Sequence, residues 1–86
     1  MKADARRLAL ERGERIRRAR IAAGLRLVDV SEDIGISRAT LWKWETGQTA
    51  SYDAVLVYHL ARRLFTTYEW ILFGGGTELA RTPQTS

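Results

Sequence analysis

The stretch 24–47, GLRLVDVSEDIGISRATLWKWETG, holds the side chains with the most distinct chemistry in this chain. Its second half places Arg38, Thr40 and Lys43 on one side of a short helical pattern, opposite Leu41 and Trp44. Basic and hydroxyl donors on one helical face are suited to base edges and phosphates, and a helix is an element that the DNA major groove admits. The chemistry on offer is recognition. Nothing is spaced for catalysis: the one histidine, His59, has no nearby partners, and Gly74–Gly76 lacks the Lys-Ser/Thr of a phosphate loop and precedes no helix. No metal-ligand spacing occurs, and without cysteine there are neither disulfides nor thiolate sites. The chain is read as a non-enzyme with no metal and no cofactor.

Those donors need elements to hold them. Residues 3–12, ADARRLALER, are good helix formers that Gly13 interrupts; they fit either an extension of the first helix or a loose arm. From Glu14 to Ala23, residues Ile16, Ala19, Arg20 and Ala23 share one face. Arg15, Arg17 and Arg18 fall off that face. Gly24 can take positive φ and end the helix. A second helix spans Leu27–Ile34, with Leu27, Val30, Ser31 and Ile34 inward and Asp29, Glu32 and Asp33 outward. Gly35 makes the turn and Ile36 bridges it. Ser37 then caps a third helix that runs to about Thr46, where Gly47 stops it.

Gln48–Tyr52 reads as a polar loop. Asp53 caps a fourth helix through Leu64, with Ala54, Val57, Ala61 and Leu64 inward. Thr66 and Glu69 have capping-box spacing for a last helix, Thr67–Leu72. The expected fold is all-α, a compact bundle of five helices over 13–73, with 1–12 as the arm or extension and 74–86 as a flexible tail.

The 86 residues suit one small domain. No apolar run approaches the ~18 residues of a membrane span, and the basic N-terminus lacks the apolar core of a signal peptide. A cytoplasmic setting is expected. The net charge of +4 is unevenly spread. Residues 1–26 hold nine Lys/Arg against three Asp/Glu; residues 27–86 hold five against seven. A basic segment of this kind either meets a polyanion or forms a solvated arginine face.

The second and third helices have helix-turn-helix offsets. Ser31 sits four residues before the turn glycine Gly35, and Leu41 six after it. Two steeply crossing helices need a small side chain at the contact and positive φ in the turn. Val30, Ile34, Ile36, Leu41 and Trp44 then fill the angle between them.

With these features the chain resembles the Cro/CI-type (XRE) helix-turn-helix family of phage repressors and small bacterial regulators. The matching residues are GERIRRARIAAGL (13–25), DIGISRATLWKWETG (33–47) and LARRLFTTYEWIL (60–72). The resemblance implies a lambda-repressor-like DNA-binding fold. It implies an ion pair between Arg20 and Glu45 that ties the first helix to the end of the third. It also implies base reading by Ser37, Arg38, Ala39, Thr40, Trp42 and Lys43. Arg38 or Lys43 then donates to guanine O6 and N7, at ~1–3 kcal/mol of discrimination, and Ala39 meets a thymine methyl. Trp42 packs on sugar or methyl groups, donates its N–H to a phosphate, or covers an edge of the core.

The chain departs from the family at Arg26 and Leu27, where a polar cap and a glutamine are usual. Arg26 can substitute with its charge at a phosphate, and Gln48, Thr49 and Ser51 are the other phosphate candidates. Arg12 stands where an apolar residue is common. The segment YEWILF (68–73) is more apolar than a short closing helix requires. Trp70, Ile71 and Phe73 are therefore candidates for a homodimer interface. The function expected is a sequence-specific regulator, a repressor that binds a palindromic operator as a dimer. RNA polymerase or an antirepressor is a further partner class. The rival reading is an antitoxin that autoregulates its operon.

Overall fold

The computed structural model describes residues 2–49 and 52–74. They form α1 (Lys2–Ala22), α2 (Leu27–Ile34), α3 (Arg38–Glu45), α4 (Ala54–Arg63) and α5 (Tyr68–Phe73), with no strand among the described residues. The tail expected at 74–86 lies, apart from Gly74, outside the described residues.

Helix α1 runs unbroken through Gly13, so the segment before it is a helical extension and not a loose arm. The buried side of α1 repeats at helical spacing through Ala9, Gly13, Ile16 and Ala19. Gly13 is a contact point, not a breaker: a Cβ there would collide with the Trp44 carbonyl oxygen and lie 2.6 Å from that of Glu45. The missing side chain lets α1 cross the end of α3 backbone to backbone.

The α2–α3 turn forms as its sequence requires. Gly35 adopts φ 80° and donates its N–H to the Ser31 and Glu32 carbonyls. Ser31 is buried at the crossing and its hydroxyl donates to the Val28 carbonyl at 3.2 Å. Ile16, Val30, Leu41, Val57, Leu60 and Ile71 form the solvent-free centre of the bundle.

One inward assignment changes, and one inward residue was missed. Ala54 is exposed, and Leu60 takes the central place on α4. Asp53 does cap α4, accepting from the Val55 and Leu56 N–H groups. At α5 the cap is Thr67, whose hydroxyl accepts from the Trp70 N–H at 3.1 Å. The box from Thr66 to Glu69 is therefore one residue out of register. Thr66 points its hydroxyl into a buried position with no hydrogen-bond partner among the described residues.

The α5 C-terminus is tied to α1 by two arginines. Arg12 Nε donates to the Leu72 carbonyl at 2.9 Å. Arg15 donates to the Ile71 carbonyl at 2.9 Å through Nε and to Leu72 at 3.1 Å through Nη2. Carbonyls at a helix end carry partial negative charge and lack intrahelical donors, so guanidinium groups suit them. This explains why an arginine stands at position 12. Partial burial holds the Arg15 guanidinium below its ordinary range.

Candidate nucleic-acid interface

Helix α3 is fixed at both ends. At its start Ser37 Oγ accepts from the Thr40 N–H at 3.0 Å and donates to Thr40 Oγ1 at 2.9 Å. Ser37 therefore spends its donor on the cap, whereas Thr40 keeps its own O–H to give. At the far end Gly47 takes φ 74°. The Gln48 N–H reaches back to the Lys43 carbonyl at 2.9 Å, closing the last turn.

The inner side of α3 is anchored by Leu41, Trp44 and Glu45, all buried. Glu45 receives a two-pronged bond from Arg20: Nε to Oε2 at 2.7 Å and Nη2 to Oε1 at 3.0 Å. Only 13% of the Arg20 side chain and 3% of that of Glu45 are exposed. The third guanidinium nitrogen, Nη1, donates to the Leu25 carbonyl at 2.9 Å. One arginine thus links α1, the segment leading into α2, and the end of α3. The bond to Glu45 raises the Arg20 pKa above its ordinary value.

The outer side of α3 carries Arg38, Ala39, Trp42 and Lys43, all exposed, with Thr40 half-buried at its edge. Arg38 and Lys43 make no ion pair or side-chain hydrogen bond among the described residues. Trp42 leaves 49% of its surface exposed, four residues after Arg38 on the same face. A large exposed indole thus shares the outer side of α3 with two cations that have no ion-pair partner among the described residues.

The phosphate candidates fare differently. Arg26 is already engaged: Nε donates to Asp29 Oδ2 at 3.1 Å, Nη2 to Oδ1 at 3.0 Å, and its backbone N–H to Oδ2 at 3.0 Å. Asp29 therefore supplies half of a capping box, and the spacing of Arg26 and Asp29 was the signal for it. Gln48 is exposed and donates through Nε2 to Thr46 Oγ1 at 2.9 Å. Thr49 is half-buried, and Ser51 lies outside the described residues.

Of the three interface candidates, Trp70 and Ile71 are spent in the core, at 8% and 0% exposure. The short α5 turns both toward α1 and α4, and only Phe73, 70% exposed, stays outward.

The sequence model of the helix-turn-helix domain family matches residues 11–64, which span most of α1 and all of α2 to α4. The chain belongs to this family. It is a helix-turn-helix DNA-binding regulator of the Cro/CI-like group, and α2 and α3 are its helix-turn-helix. No curated protein and no solved structure matches the chain. No described helix of this helix-turn-helix protein is long and apolar enough to cross a membrane.

Proposed function

We propose that this protein is a sequence-specific transcriptional repressor of the phage or prophage type. It lays α3 in the major groove of its operator and binds a palindromic site as a two-fold dimer. The observation that carries this reading is the outer face of α3. Its two cations have no partner within the described chain, while its inner face is locked by the Arg20–Glu45 pair. Arg38 and Lys43 donate to base edges, Ala39 faces a thymine methyl, and Thr40 uses its free O–H. Trp42 packs on the sugars at the edge of the reading face. Ser37 serves as the cap. Gln48 and Thr49 stand toward the phosphates.

A single recognition helix reads few base pairs, so a second copy supplies the specificity that one lacks. Phe73 is the α5 residue left for that contact. Repression follows from occlusion: a protein seated on an operator that overlaps a promoter excludes RNA polymerase, and an antirepressor would relieve it by competing for the protein. The test is selection of duplexes from a random library by the full chain, followed by footprinting. An enriched palindrome, protected in two half-sites one helical turn apart, supports the reading. Binding that enriches no sequence ends it.

A further inference from the structure

We propose that one edge of α1, from Arg6 in its N-terminal extension to Arg17, is a second DNA-contacting element, which holds the phosphate backbone beside the site read by α3. The proposal rests on the DNA-binding function argued above. Arg6 precedes the family match at residues 11–64, whereas Arg17 lies within it.

Three observations carry it. First, the extension packs on the bundle at its inner end, where Ala9 is 2% exposed, while residues 4–8 stand exposed beyond it. Second, Arg6, Leu10, Gly13 and Arg17 are spaced four, three and four residues apart and share one edge of α1. That edge faces the C-terminal end of α3. Gly13 abuts the Trp44 and Glu45 carbonyls, and a Cβ on Gly47 would lie 2.6 Å from Leu10 Cδ2. Third, Arg6 and Arg17 bracket this contact, and both are exposed. Neither makes an ion pair or side-chain hydrogen bond among the described residues, whereas Arg7 pairs with Asp4 and Arg18 with Glu14, off this edge.

The geometry follows from helix dimensions. Arg6 lies about 10 Å along α1 from the Gly13 crossing, at ~1.5 Å per residue. Because Leu10 and Gly13 touch the end of α3 at Gly47, Trp44 and Glu45, we place the strand that flanks this end of α3 along the same edge of α1. Two guanidinium groups there, unpaired among the described residues, match phosphates in charge, and they carry no base information. The element therefore adds affinity and length to the footprint without altering the sequence read.

The test uses the full chain and a duplex that the wild-type protein enriches from a random library. Binding is measured against salt, on that duplex and on the same duplex trimmed to the bases protected by α3. Arg6→Gln and Arg17→Gln should each weaken binding several-fold and lower the salt slope by ~0.9, the value for one phosphate contact. On the trimmed duplex the loss from Arg6→Gln should vanish. Arg7→Gln and Arg18→Gln remove equal charge and should leave the slope unchanged. If all four variants lower the slope alike, the effect is general attraction and the proposal is wrong. If Arg6→Gln and Arg17→Gln bind as the wild type while Arg38→Ala fails, this edge of α1 makes no contact. A wild-type chain with no affinity for any duplex would overturn the DNA reading and this proposal together.

Discussion

The Cα of Gly13 rests against the peptide of Glu45: a Cβ added there would lie 2.6 Å from the carbonyl oxygen and 2.8 Å from its carbon. In an exposed helix, glycine to alanine stabilises by ~1 kcal/mol through propensity alone. Here the atoms in the way are backbone and cannot swing aside. Gly13→Ala is expected to destabilise by about 1–3 kcal/mol, the cost of overpacking. Urea denaturation gives the sign directly, and a gain in stability would refute the close approach.

The Arg20–Glu45 pair predicts a second, larger loss. Glu45 is almost wholly buried, so removing its partner leaves a carboxylate that neither water nor protein satisfies. Arg20→Ala should cost on the order of 3–5 kcal/mol. Arg20→Lys keeps the charge but not the fork that also holds the Leu25 carbonyl, so it should fall between the two. An Arg20→Ala protein that unfolds at the wild-type temperature would contradict this.

The signals that were legible in the sequence are those whose cause is local. Gly35 and Ser37 mark the turn because positive φ and a side-chain cap are properties of one or two residues, and both stand where expected. Asp53 did the same for α4. Arg20 faced inward by periodicity, and the family resemblance supplied Glu45. What failed were features set by a distant partner. Gly13 looked like a breaker because its reason, the peptide of Glu45, is 32 residues away in the chain. Arg12 looked out of place and Arg15 fell off the inward face, because a guanidinium bound to α5 carbonyls has no sequence signature. Trp70 and Ile71 looked spare because a six-residue helix shows no clear periodicity, and its core side appears only once α1 and α4 are beside it.

The arginine clamp on α5 gives a third prediction. Charged hydrogen bonds are worth about 1.5–3 kcal/mol each, less where water reaches them. In the double variant Arg12→Ala, Arg15→Ala, the Ile71 and Leu72 carbonyls lose their donors. Amide exchange should quicken first along α5, at Ile71 and Gly74, while the α2 and α3 amides change little. Uniform acceleration across all five helices would show that the clamp supports the whole fold and not α5 alone.

Trp42 offers a separation of folding from binding. Half of its ring is exposed and α3 is anchored through Leu41, Trp44 and Glu45 instead. Trp42→Ala should leave stability within about 0.5 kcal/mol of the wild type. On selected DNA it should lose affinity evenly across sequences, as a contact to sugar or phosphate does. Arg38→Ala should instead relax discrimination at one base position, by about 1–3 kcal/mol. A Trp42→Ala chain that melts early would place the indole in the core.

The Arg26–Asp29 pair holds the Arg26 guanidinium back from the phosphate role expected of it. The Arg26 side chain and its backbone N–H both donate to Asp29, and these bonds hold the Asp29 carboxyl below the usual aspartate range. A depressed folded-state pKa means that the cap on α2 is intact above the ordinary aspartate range. It is lost only as the pH falls through the lower value. Followed by NMR, Asp29 should titrate below its ordinary position in the wild type and move up in Arg26→Ala. The same pairing occupies the one charge that replaces the usual polar start of α2. Asp29→Asn keeps an acceptor for the backbone N–H while releasing the guanidinium. It should tighten DNA binding and steepen its salt dependence by ~0.9, one phosphate contact. In the Arg26→Ala background Asp29→Asn should then change nothing. A gain that persists without Arg26 would mean that Asp29 acts only by repelling phosphate.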